Sequence, residues 1–401
     1  MYTFKIIMLG PRGSGKTVFL ASMYHYLSIM GEYGFRLQVE GKDEDEASEN
    51  QKRLHNYYTE VATGEEWLPG TRGITEWIFT CYVKAENGRD EYPACRFSYL
   101  DYDGLNTTEI GQYREESEEP ETFAQKLTQA DVLLGLLDGM KINDLMLGRN
   151  QKELNAWRTK DLANMLSYMQ KHRGPIHFAI SKWDILENQF NLGKIRHKLL
   201  EIPNFQKLVK DKNNSYCPVR LIPVSSVGKG FACPVLLANG DMEMKKFINN
   251  RSPEPFNVEM PLAFIDRDLV YSQINELIKD RDMLRIIRDE IKANPKYNWW
   301  DRAARFGAIS TVAFREIFVV NPNTPVIDKI IKRGINVILH KTMEKETKAE
   351  QELKESKDKK TKSIEEKETQ EIALDLMIKK FQALQESLKS KYPESDLSDQ
   401  P

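Results

Sequence analysis

Gly10-Pro11-Arg12-Gly13-Ser14-Gly15-Lys16-Thr17 is the stretch on which the reading of this chain turns. It follows the apolar run Tyr2 to Leu9 and precedes Val18 to Met30, a stretch with few helix breakers, so the local order is strand, glycine-rich loop, helix. The eight residues match G-x-x-x-x-G-K-[ST] in the context that pattern requires. Gly13 and Gly15 let the backbone wrap a phosphate with its N–H groups inward, and the helix start adds a favourable dipole. Lys16 supplies positive charge to the β- and γ-phosphates, and the Thr17 hydroxyl supplies a ligand for Mg2+. Gly10, Arg12 and Ser14 complete the loop, with Arg12 read either as a solvated side chain or as a cation within reach of a γ-phosphate.

Further along, Ile74 to Ala85 and Ala94 to Asp101 read as strands separated by a segment containing Asn87-Gly88, the signature of an antiparallel reversal. Apolar strands follow at Asp131 to Leu137, Ile176 to Ile180 and Val219 to Val224, with helical stretches near 120–130, 151–172 and 192–210. Such alternation predicts an α/β fold: a mostly parallel sheet with one antiparallel hairpin strand, covered by helices. Residues 31–70 are irregular and charged, an expected insertion with a helical centre.

Three shorter motifs fall at the C-terminal ends of predicted strands, where open α/β sheets bind ligands. Asp101-Tyr102-Asp103-Gly104 fits D-x-x-G, an aspartate for Mg2+ and a glycine N–H for the γ-phosphate. Ser181-Lys182-Trp183-Asp184 is close to [NT]-K-x-D, with serine in the first place. A carboxylate at Asp184 accepts the N1 and N2 protons of guanine, which adenine cannot supply, while the Lys182 stem lies along the base. Ser225-Ser226-Val227 follows the strand VRLIPV and resembles the short S-A-[KL] loop whose backbone N–H groups contact the guanine carbonyl. Thr71 and Thr75 both precede or enter the antiparallel strand as candidates for a second Mg2+ hydroxyl, with Thr71 preferred.

Taken in chain order, these motifs resemble those of P-loop GTPases of the translation-factor class (TRAFAC). The resemblance covers residues 2 to 230. It implies a nucleotide-binding domain at 1–230, with Mg2+ and GTP or GDP as ligands. The long first segment and the sequence PEPFNVEMPLAFI resemble bacterial GTPases encoded beside conflict and defence proteins. Spacing is wider than in minimal small GTPases: 85 positions separate Lys16 from Asp101 and 83 separate Asp101 from Asp184. Leu105 stands where many members of the family carry the glutamine that orients water, so the resemblance implies a switch protein or slow GTPase whose catalytic residue is unassigned, with Arg12 the candidate. An ATPase or kinase using Asp101 as a Walker B acid, and a scaffold that holds nucleotide permanently, are the alternatives.

Composition adds exclusions. Among 401 residues, Lys+Arg number 58 and Asp+Glu 60, which gives no signal for nucleic acid or an anionic membrane as partner. Cys81, Cys95, Cys217 and Cys233 show no metal-ligand spacing and are expected to be reduced and mostly buried. No signal peptide and no spanning segment is read, so a cytoplasmic location is expected.

Beyond residue 230 helical patterns near 262–292 and 323–340 predict a helical extension at 231–340. Residues 341–401 form a charged tail whose 372–388 stretch regains apolar residues at helical spacing. The extension or tail is expected to meet a protein partner, a nucleotide-dependent homodimer being one form, and removal of 341–401 is expected to leave nucleotide binding intact.

Overall fold

A computed structural model of the chain describes residues 1, 3–31, 33–70, 74–84, 90–102, 123–215, 217–237, 242–247, 251–265, 267–269 and 357–397. Asn87-Gly88, and nearly all of 262–292 together with 323–340, lie outside the described residues.

The elements run β1 (Thr3–Leu9), α1 (Lys16–Leu27), β2 (Phe35–Val39), α2 (Glu44–Thr63), β3 (Ile74–Lys84), β4 (Glu91–Tyr102), α3 (Phe123–Gln129), β5 (Val132–Leu137), α4 (Gly139–Leu147), α5 (Gln151–Ala156) and α6 (Ala163–Lys171). They continue as β6 (Ile176–Ile180), α7 (Leu192–Leu200), α8 (Pro203–Asn214), β7 (Val219–Pro223), β8 (Ala232–Leu236), β9 (Met242–Lys246), α9 (Met260–Ala263) and α10 (Lys357–Lys391). Seven strands form one sheet in the order β2-β3-β4-β1-β5-β6-β7, and β8-β9 form a separate hairpin. From β4 to β7 all pairings are parallel, while β3 runs antiparallel to both β4 and β2. This is the expected α/β architecture, with its parallel half buried on both faces: β5, β6 and β7 have no exposed position.

The strands of the parallel half end on the same side, which brings the loops after β1, β5, β6 and β7 to one edge. That edge carries the candidate site. Strand β1 leads into the glycine loop and α1, whose residues from Phe19 to Tyr24 are all buried between the sheet and α2.

Residues 31–70 are more ordered than expected. Phe35, Leu37 and Val39 alternate with Arg36 and Gln38, and that period of two forms an edge strand. Helix α2 is amphipathic, burying Leu54, Tyr58 and Val61, and Asp43 caps it by accepting from the Glu46 N–H at 2.8 Å.

In the C-terminal half, the Gly- and Pro-containing segment that leads from 231 to Pro261 holds the β8-β9 hairpin. One expectation is corrected there. The charged tail ends in a 35-residue helix, α10, whose apolar stripe is occupied by the chain's own core. Ala373, Met377, Ile378, Phe381, Leu384 and Leu388 are buried in the same cluster as the sheet. Phe381 meets the rings of Phe35 at 5.2 Å and Phe97 at 6.3 Å, and Met377 Sδ lies 3.3 Å from Cys95 Sγ. The last turn is fixed by charge as well. Arg220 of β7 makes a bidentate pair with Asp268 (2.8 and 2.7 Å) and also binds Asp396, while the Leu397 N–H donates to Val219 at 2.9 Å. His177 completes this buried network at 3.0 Å from Asp268.

All four cysteines are free thiols, three of them buried. No helix of the described residues is long and apolar enough to cross a membrane.

Candidate nucleotide site

The loop after β1 turns back on itself through two left-handed glycines, Gly13 (φ 81°) and Gly15 (φ 94°). A Cβ at either would meet nothing within 4 Å, so the constraint on both is backbone conformation rather than crowding. Helix α1 begins at Lys16 with no side-chain cap and no acidic residue in its first turn. A helix start of that kind, following a glycine-rich turn, suits an anion. Lys16 Nζ donates to the Gly10 and Pro11 carbonyls at 2.8 and 3.2 Å, which bends the lysine along the loop.

A cavity of about 440 Å3 opens over this loop, within the range of small-molecule sites. Arg12 through Val18 form its floor. The far side holds Asp138, Met140, Lys141, Asp144, Asn150 and Glu153 of β5 through α5, and another end holds Ser181, Lys182, Asp184, Ser226 and Val227. Trp67 to Gly70 and Met242 to Met244 close the remaining wall.

The SKWD motif is stitched to the phosphate loop. Ser181 Oγ lies 2.9 Å from the Ser14 carbonyl and 3.2 Å from that of Leu137, one proton serving both acceptors in turn. Lys182, in the left-handed region at φ 54°, sends Nζ to the Gly13 carbonyl at 3.3 Å and to Asp138 Oδ1 at 2.7 Å. Trp183 is buried behind them. Its N–H donates to the Val224 carbonyl at 3.0 Å, and its Nε1 donates to the Tyr392 hydroxyl at 3.1 Å, so the residue that follows α10 braces the motif. Asp184 Oδ1 accepts from Ser225 Oγ at 2.6 Å, and that same hydroxyl accepts the Gly228 N–H at 2.9 Å. Ser225 therefore orients the carboxylate from behind, while Ser226 lines the cavity.

Burial raises the Asp184 carboxyl to about 6, with Glu187 nearby adding to the rise and the Ser225 hydrogen bond and Lys182 opposing it. Guanine presents two donors and needs the ionised form. Affinity for a guanine nucleotide is accordingly expected to rise with pH through about 6 and level off above it, falling by about ten-fold for each unit below. Titration calorimetry between about pH 5 and about pH 8 reads this directly, and a flat profile would remove Asp184 as the acceptor.

Asp138 lies outside the motifs, in an Asp138-Gly139 pair that reads from sequence as a strand-to-helix turn. It caps α4 by accepting from the Met140 N–H at 2.9 Å and holds Lys182 at the same time. An Asp-Gly pair closing the wholly apolar strand VLLGLL was the available signal. Gly139 is required beside it, because a Cβ there would collide with the Ser181 carbonyl.

The metal candidates are less evenly placed. Thr17 lines the cavity. Asp101, 1% exposed at the end of β4, pairs in register with Met8 of β1 and with Thr75 of β3, but it is not among the lining residues. Thr71 and Gly104 lie outside the described residues, as does Leu105. Arg12 is exposed, with its guanidinium turned toward Gly70: a Cβ on that glycine would come within 2.7 Å of Arg12 Nε.

No protein-family model and no curated protein matches the chain. Among solved structures, it is similar to the GTPase-like domain of S. cerevisiae Ski7 bound to GDP and inorganic phosphate, at 14% identity and TM-score 0.30 over 56% of this chain; it spans 43% of that one. Similarity to the Arl6 BBS3 small GTPase of Trypanosoma brucei is 13%, with TM-score 0.26 over 56% of this chain and 87% of that one. For the signal recognition particle receptor SRb-GTP/SRX complex of Chaetomium thermophilum the values are 12%, 0.31, 56% and 94%. Likeness at this level leaves the chemistry of the site to its own geometry.

Proposed function

We propose that the chain is a guanine-nucleotide-binding switch protein that uses Mg2+ and hydrolyses GTP slowly. The observation that carries this reading is the joint between base reader and phosphate loop: Ser181 and Lys182 reach the carbonyls of Ser14 and Gly13, and Asp184 stands two residues on with its carboxylate oriented by Ser225. An adenine site has no use for a buried carboxylate that accepts two ring-edge protons.

The residues of the loop fit a nucleoside triphosphate. Gly10, Arg12, Gly13, Ser14, Gly15 and Lys16 surround the phosphates, and Gly104 joins them at the γ-position. Mg2+, when bound, would neutralise phosphate charge, with Thr17 and Asp101 as its protein ligands and Thr71 as a third. Turnover is slow because Leu105 cannot orient a water molecule, and a partner or a second copy of the chain would raise it. Specific activity that is high in a demonstrated monomer and independent of protein concentration would overturn the slow-hydrolysis part alone.

The test of the base assignment is competition among GTP, GDP, ATP and xanthosine triphosphate, on the wild type and on Asp184→Asn. Wild type is expected to prefer guanine. The amide of Asp184→Asn donates to the 2-oxo group of xanthine and no longer accepts both guanine protons, so preference moves to xanthine. Preference for ATP in the wild type, or unaltered GTP affinity in the variant, would rule out Asp184 as the base reader.

A further inference from the structure

We propose that the β8-β9 hairpin is a staple that holds Trp67 against the ribose and base of the bound nucleotide and so sets how long the nucleotide stays. The inference rests on the guanine-nucleotide reading above and adds a contact that the motifs do not contain.

Trp67 lies four residues past the end of α2, half-buried, in the cavity wall it shares with Leu68 and Met244. Its Nε1 donates to the Met244 carbonyl of β9 at 2.6 Å, so the polar end of the indole is satisfied by the hairpin. Trp67, Leu68 and Met244 pack with Val18 against a small cluster of Val61, Val227, Phe231 and Ala232 that is separate from the main core. Val18 directly follows Thr17 of the phosphate loop, and Val227 directly follows Ser226 of the base loop. The indole therefore stands where those two loops meet, beside the base and ribose rather than the γ-phosphate.

Lys246 fastens the arrangement. Its ammonium, on a side chain with only 7% exposure, donates to three carbonyls, those of Glu60 (3.0 Å), Gly64 (2.9 Å) and Glu66 (2.6 Å). All three lysine protons are used at the negative end of α2. The same ammonium sits 4.9 Å from the Trp67 ring centroid. β9, the end of α2 and Trp67 are thus tied into one unit. Gly70, three residues further, lies beside the Arg12 guanidinium, where a Cβ on the glycine would come within 2.7 Å of Nε.

An aromatic surface against a base or ribose is removed at a cost seen mainly in dissociation, by about ten-fold or more for alanine. Release of fluorescently labelled GDP, chased with unlabelled GDP, is the measurement. Trp67→Ala is expected to release the label about ten-fold faster or more, and Lys246→Met, which leaves the indole but cuts the staple, by a smaller factor. Release within about two-fold of wild type in either variant, at an unchanged melting temperature, overturns the proposal. Should either variant fold poorly, Trp67→Phe decides: the change in tryptophan emission on adding GDP to wild type is expected to be lost in it, and an undiminished change overturns the staple. A wild type that retains no labelled GDP overturns the nucleotide reading itself and the staple with it, whereas retention with unaltered release by the variants overturns the staple alone.

Discussion

Truncation after Gln370 is expected to abolish the cooperative thermal transition of the domain. The removed stretch contributes Leu374, Met377, Ile378, Phe381, Leu384 and Leu388, none more than 6% exposed, to the cluster that also holds β1, β3 and β4. Emptying a buried Leu, Ile or Met site costs about 2–5 kcal/mol and a Phe site about 3–5 kcal/mol. Even heavily discounted for non-additivity, six such losses exceed the roughly 5–15 kcal/mol by which a domain is typically stable. Truncation also removes the Tyr392 hydroxyl from Trp183 and Asp396 from Arg220, so whatever fold survived would have an unbraced SKWD motif. Phe381→Ala is the milder form, with an expected loss of about 3–5 kcal/mol in denaturant unfolding. A truncated chain that melts cooperatively at the wild-type temperature would mean that α10 is an accessory and not part of the core.

Lys16→Ala is expected to lower nucleoside triphosphate affinity by about 10² to 10⁴, because two hydrogen bonds from a charged donor are each worth about 1.5–3 kcal/mol. The fold should survive. The lysine ammonium also holds the Gly10 and Pro11 carbonyls, at 2.8 and 3.2 Å, so the variant gives up some order in the loop as well as charge at the phosphates. Lys16→Arg separates the two contributions. Its planar fork keeps the charge and misfits the loop, so it should remain weak in binding. Calorimetry with a non-hydrolysable triphosphate measures both variants; affinity unaltered in Lys16→Ala would remove the phosphate-loop assignment.

Much of the site was legible because its chemistry is local. Gly10 to Thr17, Ser181 to Asp184 and Ser225-Ser226 are contiguous residues whose proposed roles follow from backbone freedom, charge and hydrogen-bonding capacity within a few positions. The order of strands and helices came from periodicity, which is also local. The edge strand β2 carries a local signal as well: the alternation of Phe35, Leu37 and Val39 is a strand pattern in a segment dominated by charge.

By itself, then, the sequence determined the α/β class and the strand that leads into the glycine loop, and it named the residues proposed for phosphate and base. Only the tertiary structure decided what the apolar stripe of α10 covers, since periodicity shows that a helix face is buried and is silent about the surface that buries it. It also decided that Asp138 holds Lys182 and that Trp67 shares a wall with β9, contacts 44 and 177 positions apart in the chain. Pairings of that range depend on which strands become neighbours. They leave no mark in either local segment, because each side chain satisfies its own stretch of sequence equally well as an ordinary turn aspartate or a loop tryptophan.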